Sequence, residues 1–187
     1  RGDLGESFIF EEPALLLIVE RMPATMELAL FALLIAVVIG IPLGMLAGFR
    51  PESIAAKTIM SGSILGFSLP SFWVGIMMMV LFAVHLGWLP STGRGPTSEW
   101  FGIEVSFTSW KGISYLLMPA INLSLFKLAL VIRLARAGTR EVVHQDYIKF
   151  ARAKGLSGRR IVLLHVLKNI MIPVVTVLGL EFGGLVA

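Results

Sequence analysis

The chain of 187 residues is 56% hydrophobic, only 15% charged and free of cysteine, whereas a soluble domain is about 25% charged. Its apolar residues come in long runs and its mean hydropathy is +0.85, so a membrane protein is expected rather than one large soluble core. The missing cysteines exclude disulfides, thiolate chemistry and cysteine-held metals, and the net charge of +4 clusters beside apolar runs, which argues for membrane topology and against nucleic acid.

Residues 1–23 are polar and acidic, with Asp3, Glu6, Glu11, Glu12 and Glu20. Leu15, Leu16, Ile18 and Val19 predict a short amphipathic helix there, an external leader at the membrane surface. The first apolar run, residues 24–49, would be about 39 Å long as a helix, enough to cross a hydrocarbon core of about 30 Å with some tilt. Pro42 is placed to kink it near one end, and Gly40, Gly44 and Gly48 fall four apart, on one face that permits close helix approach. Glu27 is expected at the rim, where a carboxylate favours a helix N-terminus.

A short basic turn, residues 50–57, leads to a second span, 59–86, which the string GFSLPSFW (66–73) interrupts. Pro70 removes a helical hydrogen bond, and Ser68 and Ser71 are placed to bond the freed backbone groups. A broken helix in a membrane needs cover from protein or from a water-filled cavity, so this stretch either lines a pathway or packs against protein. Residues 87–114 read as an external loop whose Trp88, Trp100 and Trp110 suit the membrane–water interface. A third span, 115–135, carries Pro119 and an intramembrane Lys127, which is expected to face inward or to snorkel rather than to hold substrate. The sequon at Asn122 falls inside this span and is a chance match. Residues 136–169 form a basic segment, and 170–187 a truncated fourth span with Glu181.

The organising stretch is DYIKFARAKGLSGRRIVLLHVLKNIMIP, Asp146 to Pro173. Good helix formers fill Asp146 to Lys154, Gly155 suits the left-handed residue that closes a helix, and Ser157 is placed to cap a second helix near Gly158. Tyr147, Ala151 and Lys154 follow i, i+4, i+7 and are expected to share one face.

ARAKGLS followed by RRI and LKNIMIPVV resembles the cytoplasmic EAA loop of the permease subunits of binding-protein-dependent ABC importers, above all the dipeptide, oligopeptide and nickel branch. GFSLPSFW and GWLPSTG are similar to further stretches of the same branch. Lys149 and Phe150 stand where the general pattern has Glu and Ala, a departure that also looks like the peptide branch. The resemblance implies an all-α integral membrane fold, a polytopic helical bundle of the type I importer kind, here about four transmembrane helices of a longer subunit in the bacterial inner membrane. It implies that Asp146, Tyr147, Phe150, Ala151, Lys154, Gly155 and Leu156 couple to an ATPase, and that Ser68, Pro70, Ser71, Phe72 and Lys127 border the translocation path. The implied partners are two ATPase subunits holding ATP and magnesium, a second homologous permease, an external substrate-binding protein and a peptide cargo. This chain would bind no cofactor and perform no catalysis, and dipeptide, oligopeptide, glutathione and nickel remain open as cargo.

No phosphate-binding G-x-x-x-x-G-K-[ST] loop and no G-x-S-x-G elbow occurs, and His85, His144 and His165 lack the spacing of a helical zinc site. The rival from another class is an ion-coupled carrier, for which Lys127 and Glu181 are the candidate groups. Expected outside segments hold four Lys and Arg and expected inside segments eleven, which places the 136–169 segment in the cytoplasm. With Gly93→Cys and Gly155→Cys introduced singly, an impermeant thiol reagent should label position 93 and spare position 155 in intact cells. Labelling at 155 alone would invert the topology.

Overall fold

A computed structural model of the protein describes residues 5–7, 11–100 and 102–186. The first expected leader residues, 1–4, lie outside the described part. Helix α1 runs unbroken from Ala14 to Phe49. The apolar residues expected to form a separate surface helix are therefore the first turns of the span itself, with Pro23 inside it. Pro13 precedes Ala14, and nothing between them and Phe49 forces a second boundary: Pro23 and Pro42 each cost one helical bond without ending the helix.

The principal contact of the fold is α1 against α4, Trp110–Val143. A stripe of small residues on α1, including Ala29, Ala32, Ala36, Gly40 and Gly44, is buried against it. A Cβ on Gly40 would lie 2.8 Å from Val131 Cγ1, on Gly44 2.5 Å from the Ile132 carbonyl oxygen, and on Gly48 2.6 Å from Thr139 Cβ. Glycine is required there because one helix backbone rests on the other. Helix α4 starts five residues before the expected 115, since Ser109 Oγ accepts from Gly112 N at 3.0 Å, and it continues eight residues past 135 because no proline interrupts it and a lone Gly138 does not end a helix.

Helix α2, Ile54–Ser68, is capped by Ser53, whose Oγ accepts from Ala56 N at 3.1 Å. Helix α3, Ser71–Met78, passes into a π-helical stretch, Met79–His85. The two limbs meet at 98°, a far sharper break than one kinked span. Counted by length and hydropathy, the described residues contain three helices able to cross a membrane, or four if this bent pair is one span.

Within residues 87–114 a small hairpin folds where a loop is expected: β1, Ser98–Trp100, pairs antiparallel with β2, Ile103–Val105. Glu27 is not at an open rim. It is 5% exposed, and its Oε1 accepts from the backbone N–H groups of Ser106 at 2.8 Å and Phe107 at 2.7 Å, tying the end of the hairpin to α1. Arg94 donates to the Glu104 carbonyl at 2.6 Å, and Trp100 meets Phe107 edge-on.

On the other side, α5, Asp146–Ala153, turns into α6, Gly158–Ile161. Helix α6 continues through a π-helical stretch, Val162–Val166, into α7, Leu167–Val186. The last span therefore begins twelve residues before the expected 170, as a continuous apolar helix over Gly158–Gly184. Ile148, Ala151, Ile161, Val166, Ile170 and Val174 share one core with Val131, Ala135 and Val142 of α4 and with Ile41 and Met45 of α1. Gly44→Val should lower the thermal midpoint of helix loss in detergent by several degrees, a cost of about 1–3 kcal/mol for forcing a backbone contact apart. An unchanged midpoint would show that α1 and α4 are not locked at this point.

Candidate functional site

The helix pair α5–α6 is built on a closed turn. Gly155 has φ +77°, its N–H donates to the Arg152 carbonyl at 2.9 Å, and the Leu156 N–H donates to the Ala151 carbonyl at 3.2 Å. This is the Schellman arrangement, in which a left-handed glycine lets two backbone N–H groups cap the last carbonyls of α5. A Cβ on Gly155 would meet nothing within 4 Å, so the demand for glycine is conformational and not steric. Ser157 occupies the N-cap position of α6 with extended backbone, but its side chain makes no cap bond.

The face of α5 differs from the expected one. Ala151 is 4% exposed and Ile148 fully buried, both inside the core shared with α6 and α7. Ala151 is therefore a packing residue of the pair, not a free contact. An apolar pair at i, i+3 outcompetes the expected i, i+4, i+7 face for the core. What remains outward is Tyr147, Phe150, which is 61% exposed, and Lys154, whose Nζ lies 4.6 Å from the Phe150 ring centroid. Leu156 is half-buried beneath the turn. Asp146 bonds Lys149 Nζ at 2.8 Å, and that hydrogen bond and charge hold its carboxyl below the usual range. The Tyr147 ring lies 6.3 Å from that of His165 in the π-helical stretch, so the pair touches the base of α7 directly.

The residues expected along a path fall in two places. Ser68, Pro70, Ser71 and Phe72 form the exposed elbow of the bent pair. Ser68 Oγ donates to the Ile64 carbonyl at 2.9 Å, whereas Ser71 makes no such bond among the described residues. The ring of Phe67, one residue before, lies edge-on to Phe126 at 5.4 Å and under the Arg133 guanidinium at 5.4 Å, which ties the elbow to α4. Lys127 is elsewhere engaged: its ammonium pairs with the Glu181 carboxylate of α7. Neither residue is free in the span, and each supplies the counter-charge that makes the other tolerable in lipid. Sequence reasoning singled out both residues but not their pairing, because 54 positions separate them. Among the described residues no group of three or more His, Asp or Glu is placed to hold a metal ion.

The fold and this site define a class: a multi-pass helical membrane protein with a basic helix pair packed into the core of its spans. The chain belongs to the family of binding-protein-dependent transport system inner membrane components, whose model matches residues 40–187. It is 37% identical, over its whole length, to 59% of the di/tripeptide transport system permease protein DppB of Pseudomonas aeruginosa. It is 36% identical, again throughout, to 59% of the dipeptide transport system permease protein DppB of Escherichia coli K12. A putative peptide transport system permease protein of Brucella abortus is 38% identical over 98% of this chain and 56% of its own length. The chain thus spans somewhat more than half the length of these relatives. It is a multi-pass inner-membrane protein.

Removing one member of the Lys127–Glu181 pair should cost more than removing both. Lys127→Leu alone should destabilise the detergent-solubilised protein by about 1–3 kcal/mol, and Lys127→Leu with Glu181→Leu should recover most of it, read as thermal midpoints. Additive losses would mean that the two side chains do not act as a pair.

Proposed function

We propose that the chain is the transmembrane permease subunit of an ATP-driven importer that carries short peptides across the cytoplasmic membrane by alternating access. The observation that carries this reading is the mechanical continuity of the cytoplasmic helix pair with the spans. Ile148 and Ala151 of α5 are packed in one core with Ile170 and Val174 of α7 and Val142 of α4, so a push on α5 moves the span bases with it. The outward Tyr147, Phe150 and Lys154 offer two aromatic anchors and a cation to a partner, the kind of patch that dominates interface energy.

In this reading two ATPase subunits, which hold ATP and magnesium, receive that patch in a cleft. Their closure shifts the helix pair, and the spans turn from inward- to outward-open. A second, homologous permease completes the path and an external binding protein delivers the cargo. The chain itself contributes the path and the transmission and performs no covalent step. Peptide is the cargo that the names of its relatives favour over nickel or glutathione. An ion-coupled carrier is disfavoured because Lys127 and Glu181 neutralise one another.

Phe150→Glu and Gly155→Val test the coupling without touching the core. Both variants should insert normally. In proteoliposomes with the partner subunits, binding-protein-stimulated ATP hydrolysis and peptide uptake should fall together by about tenfold or more, as loss of an interface anchor does. Ala151→Glu would not serve, since it would put a carboxylate into the shared core. Wild-type rates in both variants would remove α5 as the coupling element.

A further inference from the structure

On the external side a cavity of about 490 Å³ opens between α3, the first turns of α4 and the loop that precedes the hairpin. Its walls are Phe72, Ile76 and Met79 of the bent helix, Tyr115 and Met118 of α4, and the turn around Ser91. No charged side chain lines it. Its size is that of a site for one small ligand.

One polar group on the α4 wall lacks the partner that a dry interior would demand. The Asn122 side-chain oxygen Oδ1 is buried and accepts no hydrogen bond. That oxygen is an acceptor. A buried acceptor without a donor is costly, and the cost disappears when a donor arrives with a ligand. Gly75, on the facing helix, leaves the space for this: a Cβ there would stand 3.2 Å from Asn122 Nδ2 and press on the amide.

We propose that this cavity is a subsite for the peptide cargo, in which Asn122 Oδ1 accepts a hydrogen bond from a peptide main-chain N–H or terminal ammonium and the apolar wall receives one uncharged side chain. A peptide is rich in N–H donors, and the cavity offers this acceptor and no competing cation. The inference rests on the peptide-import reading given above. It adds Asn122 and Gly75 as residues that hold the cargo, on a different part of the bent helix from the elbow at Pro70.

The test uses the complete transporter in proteoliposomes with its binding protein and radiolabelled alanyl-phenylalanine. Asn122→Leu should lower the number of peptides imported per ATP hydrolysed by about fivefold to tenfold, the worth of one lost hydrogen bond to a ligand. A coupling defect would instead lower uptake and hydrolysis in parallel and leave that ratio unchanged. Independently, Ser91→Cys in this cysteine-free chain places a thiol at the cavity wall. Its reaction with a small maleimide should slow at least about threefold when peptide is present in excess, as expected of a largely occupied site. Labelling that is indifferent to peptide, in a transporter that imports it, overturns the subsite and leaves the import reading standing. A wild-type transporter that hydrolyses ATP but imports no peptide overturns the import reading and the subsite with it.

Discussion

The structure depends on the approach of α1 to α4. Two helices can come this close only if one of them presents no side chain, and Gly40, Gly44 and Gly48 supply that bare strip against Val131, the Ile132 carbonyl and Thr139. Both helices are longer than a bilayer requires, 36 and 34 residues. The hairpin, the cavity between α3 and α4 and the α5–α6 pair are all attached to one or the other of these two rods. Relative to them the bent α2–α3 pair is lightly held, with only Ala56 and Ser63 buried in α2 and nothing in α3.

The α5–α6 end combines stiffness with one irregular element. The Schellman turn at Gly155 fixes the angle between α5 and α6 through backbone bonds alone, and Ile148 and Ala151 anchor α5 from beneath. Between that anchor and the regular part of α7 lies the π-helical stretch Val162–Val166, where the backbone is underwound and hydrogen bonds run to the fifth residue. Asn169 Nδ2 donates to the His165 carbonyl at 2.6 Å, so a side chain shares the load at the junction of the two helix types. The stiff turn is therefore followed by a local change of helical pitch within the first turns of the span.

What the sequence made legible follows from what is local in it. The apolar runs give the spans, because hydrophobic length is a property of adjacent residues, and Gly155 and the glycine strip on α1 are read from a few positions each. The helix ends were less legible: residues 136–143 are polar, yet they continue α4 because polarity does not stop a helix when no proline, glycine pair or cap intervenes. Pro70 marks a break, but its 98° angle depends on how Phe67 seats on Phe126 of α4. The orientation of Ala151 turned on a competition between faces that α5 alone could not settle, since the core it joins is made by α4 and α7. Asn122, read as a chance sequon, is noticeable beforehand only as an amide in an apolar helix one turn from a proline.

Glu27 holds the hairpin in a way that leaves the hairpin's chemistry open. The carboxylate grips the N–H groups of positions 106 and 107, not their side chains, and every amino acid except proline carries such a group. The side chains of the hairpin are thereby uncoupled from its anchorage. Substitutions there can change charge, bulk or aromatic content while the seat on α1 stays the same. A single buried acid thus serves as a socket of fixed geometry for interchangeable side chains.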